Sequence, residues 1–310
     1  MELSHLPELP ACVGAVRLVR RMRGATQAHL ILADDGASYV TKLQENPFGR
    51  PAIINELLGS VLLQRLGISC PAPALVRITP EFIEQNHSVG VSRADGLVSP
   101  AVGLHHGSHY PGDPEQNAVY DFIPDTLLGR VSNFDDLIGV MLIDQWTGKQ
   151  DDRQCIFVRA GSNSQQHGRD FKALMIDHDQ MFGGTAWKLS HSAGAGYYWR
   201  PSVYARLHGW TDCEPWLSRI AALGDRAISD LARHIPDEWY GGHERQHTEM
   251  LSQLLERRKV LGSTLENEIR RNPAIFRNWN SPTISGGLSP RSVVDHAVDP
   301  AIALPGDCAA

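Results

Sequence analysis

Leu142 to Phe157 reads LIDQWTGKQDDRQCIF, and the rest of the chain can be arranged around it. It starts as the end of an apolar helix face, stops at Gly148, crosses the polar loop Gln150-Asp151-Asp152-Arg153-Gln154 and turns apolar again. Upstream, Asn133 with Asp136 three residues on opens a capped helix. Its stripe Phe134, Leu137, Ile138, Met141, Leu142 and Trp146 predicts a buried scaffold. Downstream, Cys155 to Arg159, the polar tip GSNSQQHGR and Phe171 to Ile176 predict a hairpin with a long loop. Asp151 stands shortly before the outgoing strand, and Asp177 follows the returning one in MIDHDQMFGG. Folding the hairpin therefore brings both carboxylates to its open end.

The N-terminal half supplies complementary parts. Ala28 to Leu43, AHLILADDGASYVTKL, is two strand-like runs around the turn Asp34-Asp35-Gly36, with Ser38, Val40 and Lys42 on one face. Pro51 to Leu66 then carries Ile54, Leu57, Leu58, Val61, Leu62 and Leu66 at helical spacing, with Gly67 at the stop and Pro71 and Pro73 beyond. Glu56 lies on that helix, placed to hold Lys42 toward an anionic ligand. Before the hairpin, Arg23-Gly24-Ala25-Thr26-Gln27 can turn tightly, so Gly24, Ala25, Thr26 and Gln27 offer backbone N–H groups to phosphate oxygens. One carboxylate near an acceptor hydroxyl and another facing a metal is what phosphoryl transfer requires, because its catalysis is mostly positioning and charge neutralisation.

The runs YVTKLQENP at Tyr39 to Pro47, INELL at Ile54 to Leu58, LIDQWTGKQDDRQCIF and MIDHDQMFGG resemble the HipA-like kinase family, in order, over roughly residues 14 to 280. The resemblance implies an α+β, two-lobed, protein-kinase-like fold. A small β-rich N-lobe would span residues 1–118, a larger mainly helical C-lobe 119–280 and a flexible tail 281–310. It also implies ATP and Mg²⁺ as cofactors and a protein Ser/Thr hydroxyl as acceptor. Lys42 would bind the ATP phosphates and pair with Glu56. Asp151 would orient the hydroxyl and accept its proton, and Asp177 would hold Mg²⁺. The family's metal-binding asparagine, five residues after the catalytic aspartate, is Ile156 here, so Gln154, the nearest carboxamide, is taken as the second metal ligand. Asp179 replaces the glycine of a kinase DFG element and either adds a metal contact or faces solvent.

Composition excludes several other classes. With 29 Lys and Arg against 35 Asp and Glu in 310 residues, the net charge of -6 leaves no electrostatic footprint for a nucleic-acid backbone. No run of apolar residues is long enough to span a membrane, and MELSHLPELPACVG lacks the pattern of a signal peptide. The five cysteines, Cys12, Cys70, Cys155, Cys213 and Cys308, are odd in number and scattered, which fits a reducing cytoplasm.

Two rival functions remain at this level. One is a catalytically inactive nucleotide-binding regulatory module of the same fold. The other is a zinc hydrolase using His243-Glu244-Arg245-Gln246-His247, a formal H-E-x-x-H whose polar neighbours and preceding Gly241 and Gly242 instead point to an exposed helix start. His105, His106 and His109 form a further group in a Gly-rich stretch, and Gly194 with Gly196 makes a poor dinucleotide fingerprint. Arg153 either supports Asp151 or pairs with Asp152, and Asp144 reads as a structural hydrogen-bonding group. Leu75 to His87 reads as strand, Ala94 to Pro114 as strand fragments and loop, and Pro215 to His234 and Thr248 to Glu268 as helices.

Overall fold

The computed structural model describes residues 10–115, 119–159, 170–189 and 195–280. The hairpin tip at 161–169, Gly194, the tail 281–310 and Cys308 lie outside the described residues.

The N-terminal half is a closed barrel of five strands in the order β1 (Ala11–Arg21), β2 (His29–Ala33), β3 (Ser38–Lys42), β7 (Gly103–His109) and β4 (Pro73–Ile78). Between them in sequence come helix α1 (Arg50–Arg65), helix α2 (Pro80–Gln85) and the hairpin of β5 (Val91–Arg93) and β6 (Gly96–Val98). The hairpin expected around Asp34-Asp35-Gly36 is present as β2 and β3, with Leu30 opposite Val40 and His29 opposite Thr41. Tyr39, Val76 and Ala33 pack together inside the barrel. Residues of the alternate register, including Lys42 and its β7 partner His106, face outward.

Helix α1 lies against that outer face. Pro51 sets its first turn, and Gly67 at φ 79° ends it, with the Ile68 N–H donating to the Leu63 carbonyl at 2.9 Å. Ile53, Ile54, Leu57, Leu58, Val61 and Leu62 are all essentially inaccessible. At ~1.5–3 kcal/mol for each fully buried aliphatic side chain, this helix is a principal anchor between the barrel and the rest of the chain. Gly59 permits the approach on the other side, since a Cβ there would stand 2.6 Å from His178 Cβ.

After β8 (Val119–Tyr120) and α3 (Asp125–Leu128), the predicted scaffold helix appears as α4 (Asp136–Thr147), buried along its whole length. The expected second hairpin is β9 (Gln154–Arg159) with β10 (Phe171–Ile176), Ile176 pairing with Gln154 at its open end. The C-terminal part continues with α5 (Pro201–Tyr204), α6 (Trp216–Ala222), α7 (Asp225–Ser229), α8 (Asp237–Tyr240), α9 (Glu244–Lys259) and α10 (Leu261–Arg271). Of these, α5, α6, α9 and α10 pack on α4, whose Trp146 indole donates to the Leu254 carbonyl at 3.0 Å. Among the described residues Cys12, Cys70, Cys155 and Cys213 are free thiols, and no helix is long and apolar enough to cross a membrane.

Three local expectations need correction. Leu75 to His87 is not one strand: β4 ends at Ile78, Thr79 accepts from the Phe82 N–H, and Pro80 starts α2. Pro215 to His234 is broken near Gly224 into α6, α7 and a 3₁₀ turn, and Thr248 to Glu268 is divided at Val260 between α9 and α10.

Candidate functional site

Lys42, at the end of β3, is 9% exposed, and its ammonium faces three carboxylates. It donates to Glu56 of α1, to Asp177 at 2.8 Å and to Asp179 at 3.2 Å. Three separated parts of the chain thus converge on one charge. Burial opposes that charge, but Glu56, Asp177 and Asp179 outweigh it and hold the Lys42 ammonium above its ordinary range. Burial likewise pushes against ionisation of Asp177, yet Lys42, then Lys149 and Arg153, hold its carboxyl below the usual range.

Asp177 sits at φ 61°, in the left-handed region that aspartate tolerates better than most side chains. Of the four non-glycine residues at positive φ among the described residues, Asp177, Phe182 and Trp187 all fall in this one segment, so backbone strain is concentrated at the site. Asn55, next to Glu56, compensates for it. Its amide donates to the carbonyls of Asp179, Met181 and Gly184 at 2.7, 3.1 and 3.2 Å, and its oxygen accepts from the Trp187 indole at 2.7 Å. The helix that carries Glu56 therefore also pins the loop that carries Asp177.

The loop after α4 comes to the same place. Gly148 is left-handed at φ 66°, which ends the helix and turns the chain toward β9. Lys149, its side chain fully buried, pairs with Asp151 at 2.5 Å and donates to the Asp177 carbonyl at 2.9 Å. The two aspartates do not touch; they are joined through this lysine, which sequence reasoning overlooked. Burial raises the Asp151 carboxyl, only partly offset by Lys149, whereas Asp177 is lowered. Two carboxylates at one hairpin end are thus pushed in opposite directions.

Gln154 is also present, its amide donating to Asp177 Oδ2 at 2.7 Å. Asp179 is 3% exposed, so the solvent-facing alternative is excluded by its pairing with Lys42. Arg153 serves neither Asp151 nor Asp152 as its ion-pair partner. Its guanidinium takes Asp144 in a fork at 2.8 and 2.5 Å, and donates to the Ile176 carbonyl at 2.9 Å and to His178 Nδ1 at 2.8 Å. Burial, then Arg153, drives His178 well below its ordinary range, leaving a neutral ring able to accept that bond.

Gly24, Ala25, Thr26 and Gln27 form the turn between β1 and β2, Gly24 at φ 124° and the Gln27 N–H donating to the Gly24 carbonyl at 3.2 Å. Because Arg21 pairs with His29 and His29 with Thr41, this turn stands at the barrel end that carries Lys42. The Gln27 side chain is committed elsewhere: it accepts from the Ser92 N–H at 2.7 Å and donates to the Ser92 carbonyl at 3.0 Å.

The H-E-x-x-H segment builds no comparable centre. His243 precedes α9, while His247 is buried, contrary to the exposed start expected, with its ring 5.3 Å from that of Trp187. The group of three metal-competent side chains among the described residues is Glu56, Asp177 and Asp179, whose ligand atoms lie within 4.8 Å of one another. These are hard oxygen donors suited to Mg²⁺ or Mn²⁺ rather than to zinc.

A buried lysine and glutamate pair, beside a hairpin that ends in two differently tuned aspartates, can position a phosphoryl group and neutralise its charge. The chain belongs to the HipA-like kinase family, which it matches over residues 15–272. Among solved structures, it is similar to the Golgi casein kinase at 11% identity and a TM-score of 0.39, over 90% of this chain and 79% of that one. It is also similar to the Golgi casein kinase with Mn/ADP bound, at 13% identity and a TM-score of 0.37, over 81% and 74%. No curated protein matches the chain.

Proposed function

We propose that the protein is an ATP- and Mg²⁺-dependent kinase that transfers the γ-phosphoryl group to a hydroxyl, that of a protein serine or threonine. The observation that carries this reading is the Lys42 ammonium shared between Glu56 and Asp177, from three elements distant in sequence. The nucleotide lies between a β-rich lobe of residues 1–118 and a helical lobe of residues 119–280, its phosphates near Lys42 and the Gly24 to Gln27 turn. Asp177, which accepts from the Gln154 amide, holds the divalent cation, which neutralises charge on the phosphates. Asp151, raised by burial, positions the acceptor hydroxyl and takes its proton. The acidic composition argues against a nucleic-acid substrate, and the scattered cysteines favour the cytoplasm.

Calorimetry tests the ion pair. Lys42→Ala should weaken ATP binding strongly and Glu56→Ala less so, with the two losses not fully additive, because one supplies the cation and the other orients it. Unchanged ATP affinity in both variants would refute the assignment.

One observation favours the second reading, an inactive nucleotide-binding module. Ile156, where the family's asparagine is expected, sits inside β9 opposite Leu174 and has no side-chain oxygen to offer a metal. ATP turnover separates the two readings.

A further inference from the structure

This inference rests on the phosphotransferase reading and concerns which residues face its cation. Asp179 is buried, and its carboxylate meets Lys42 at 3.2 Å. Its ligand oxygen lies within 4.8 Å of those of Asp177 and Glu56, a spacing from which oxygen donors can share one small cation. In the structure the Lys42 ammonium plays that part, facing all three carboxylates with a single positive charge.

A second observation comes from the strand that pairs with that of the lysine. His106 pairs with Lys42 across β3 and β7, so both project from the same face of the barrel. It is 1% exposed, and neither ring nitrogen has a hydrogen-bond partner. A buried imidazole with both nitrogens unpaired, set against an ammonium, marks a polar site that the chain's own groups do not complete. Meanwhile the Gln154 amide donates to Asp177 Oδ2 at 2.7 Å, hydrogen-bonding a carboxylate that the cation would bind.

We propose that Asp179 is the second side-chain ligand of the divalent cation, in the place expected of Gln154, and that Lys42 occupies the cation's seat until it arrives. On arrival Lys42 keeps Glu56 and gives up Asp177 and Asp179, which frees its remaining donors for the phosphates. Metal and lysine thus compete for the same carboxylates in the nucleotide-free protein.

Mn²⁺ titrated calorimetrically into the full-length, nucleotide-free protein tests this. Wild-type protein should bind Mn²⁺ weakly, and Lys42→Met should bind it about tenfold more tightly or better, because a competing unit charge at close range is removed. Adding Asp179→Asn to that variant should abolish the gain, whereas adding Gln154→Ala should not. Thermal unfolding controls for folding, and Asp179→Glu, which keeps the charge, should retain the gain. No increase in Mn²⁺ affinity in a folded Lys42→Met protein, or a gain that survives Asp179→Asn but not Gln154→Ala, would overturn the proposal. If wild-type protein binds neither ATP nor Mn²⁺ when both are supplied, the phosphotransferase reading itself fails. Normal Mn²⁺-dependent ATP binding in Asp179→Asn would remove only the assignment of Asp179.

Discussion

Asp151→Asn is expected to lower phosphoryl transfer by roughly a hundredfold or more, the usual consequence of removing a positioned acid/base group, while ATP and Mg²⁺ binding persist. An amide of the same shape keeps a partner for Lys149 but cannot accept the hydroxyl proton. The wild-type pH profile should carry the same signature. Asp151 works as a base only when ionised, and burial raises its carboxyl above the ordinary range, so activity should rise with pH along a limb lying above the ~4 of an unperturbed aspartate. In Asp151→Asn that limb should vanish from the residual activity. A variant retaining full transfer would put the base elsewhere, with the neighbouring exposed Asp152 the next to test.

The second large effect is structural. Arg153 and Asp144 have fully inaccessible side chains, and the guanidinium also fastens Ile176 and His178, the residues on either side of Asp177. Arg153→Met should cost about 3–5 kcal/mol, because it leaves the Asp144 carboxylate buried without its partner. For a chain of 310 residues that corresponds to a fall in Tm of roughly 5 to 8 °C. Replacing both, as Arg153→Met with Asp144→Leu, should recover much of the loss, since no orphaned charge remains. Equal Tm values for wild type and Arg153→Met would show that this ion pair does not hold the segment.

Much of this arrangement was legible in the amino-acid sequence, for physical reasons that also explain what was not. The β2 and β3 hairpin and α1 declare themselves because apolar periodicity, turn residues and Gly67 agree with one another. Strand β1 does not: register shifts between Ala15 and Arg17 and between Leu18 and Arg20 break its alternation, and much of it is exposed. Its eleven residues pair with β2 on one side and β4 on the other and so close the barrel, a fact of topology rather than pattern.

The site divides along the same line. Lys42, Glu56, Asp151 and Asp177 could be singled out because each sits at a recognisable point on a strand, helix or hairpin end. Lys149, Asn55 and the Arg153–Asp144 pair act through tertiary contacts, and a polar residue just beyond a helix or inside an apolar one is only a faint signal. Asn55, a carboxamide within the apolar INELL run, was the clearest of these.

Transfer of label from [γ-³²P]ATP with Mg²⁺, by wild type and Asp177→Asn in parallel, decides whether the protein is a phosphotransferase. Wild-type protein should label a hydroxyl in a cell extract, and Asp177→Asn should not, because an amide is a poorer ligand than a carboxylate for a hard cation. Wild-type protein that binds ATP with Mg²⁺ yet transfers no label to any acceptor and releases no phosphate would contradict it, leaving a nucleotide-binding module in place of a kinase.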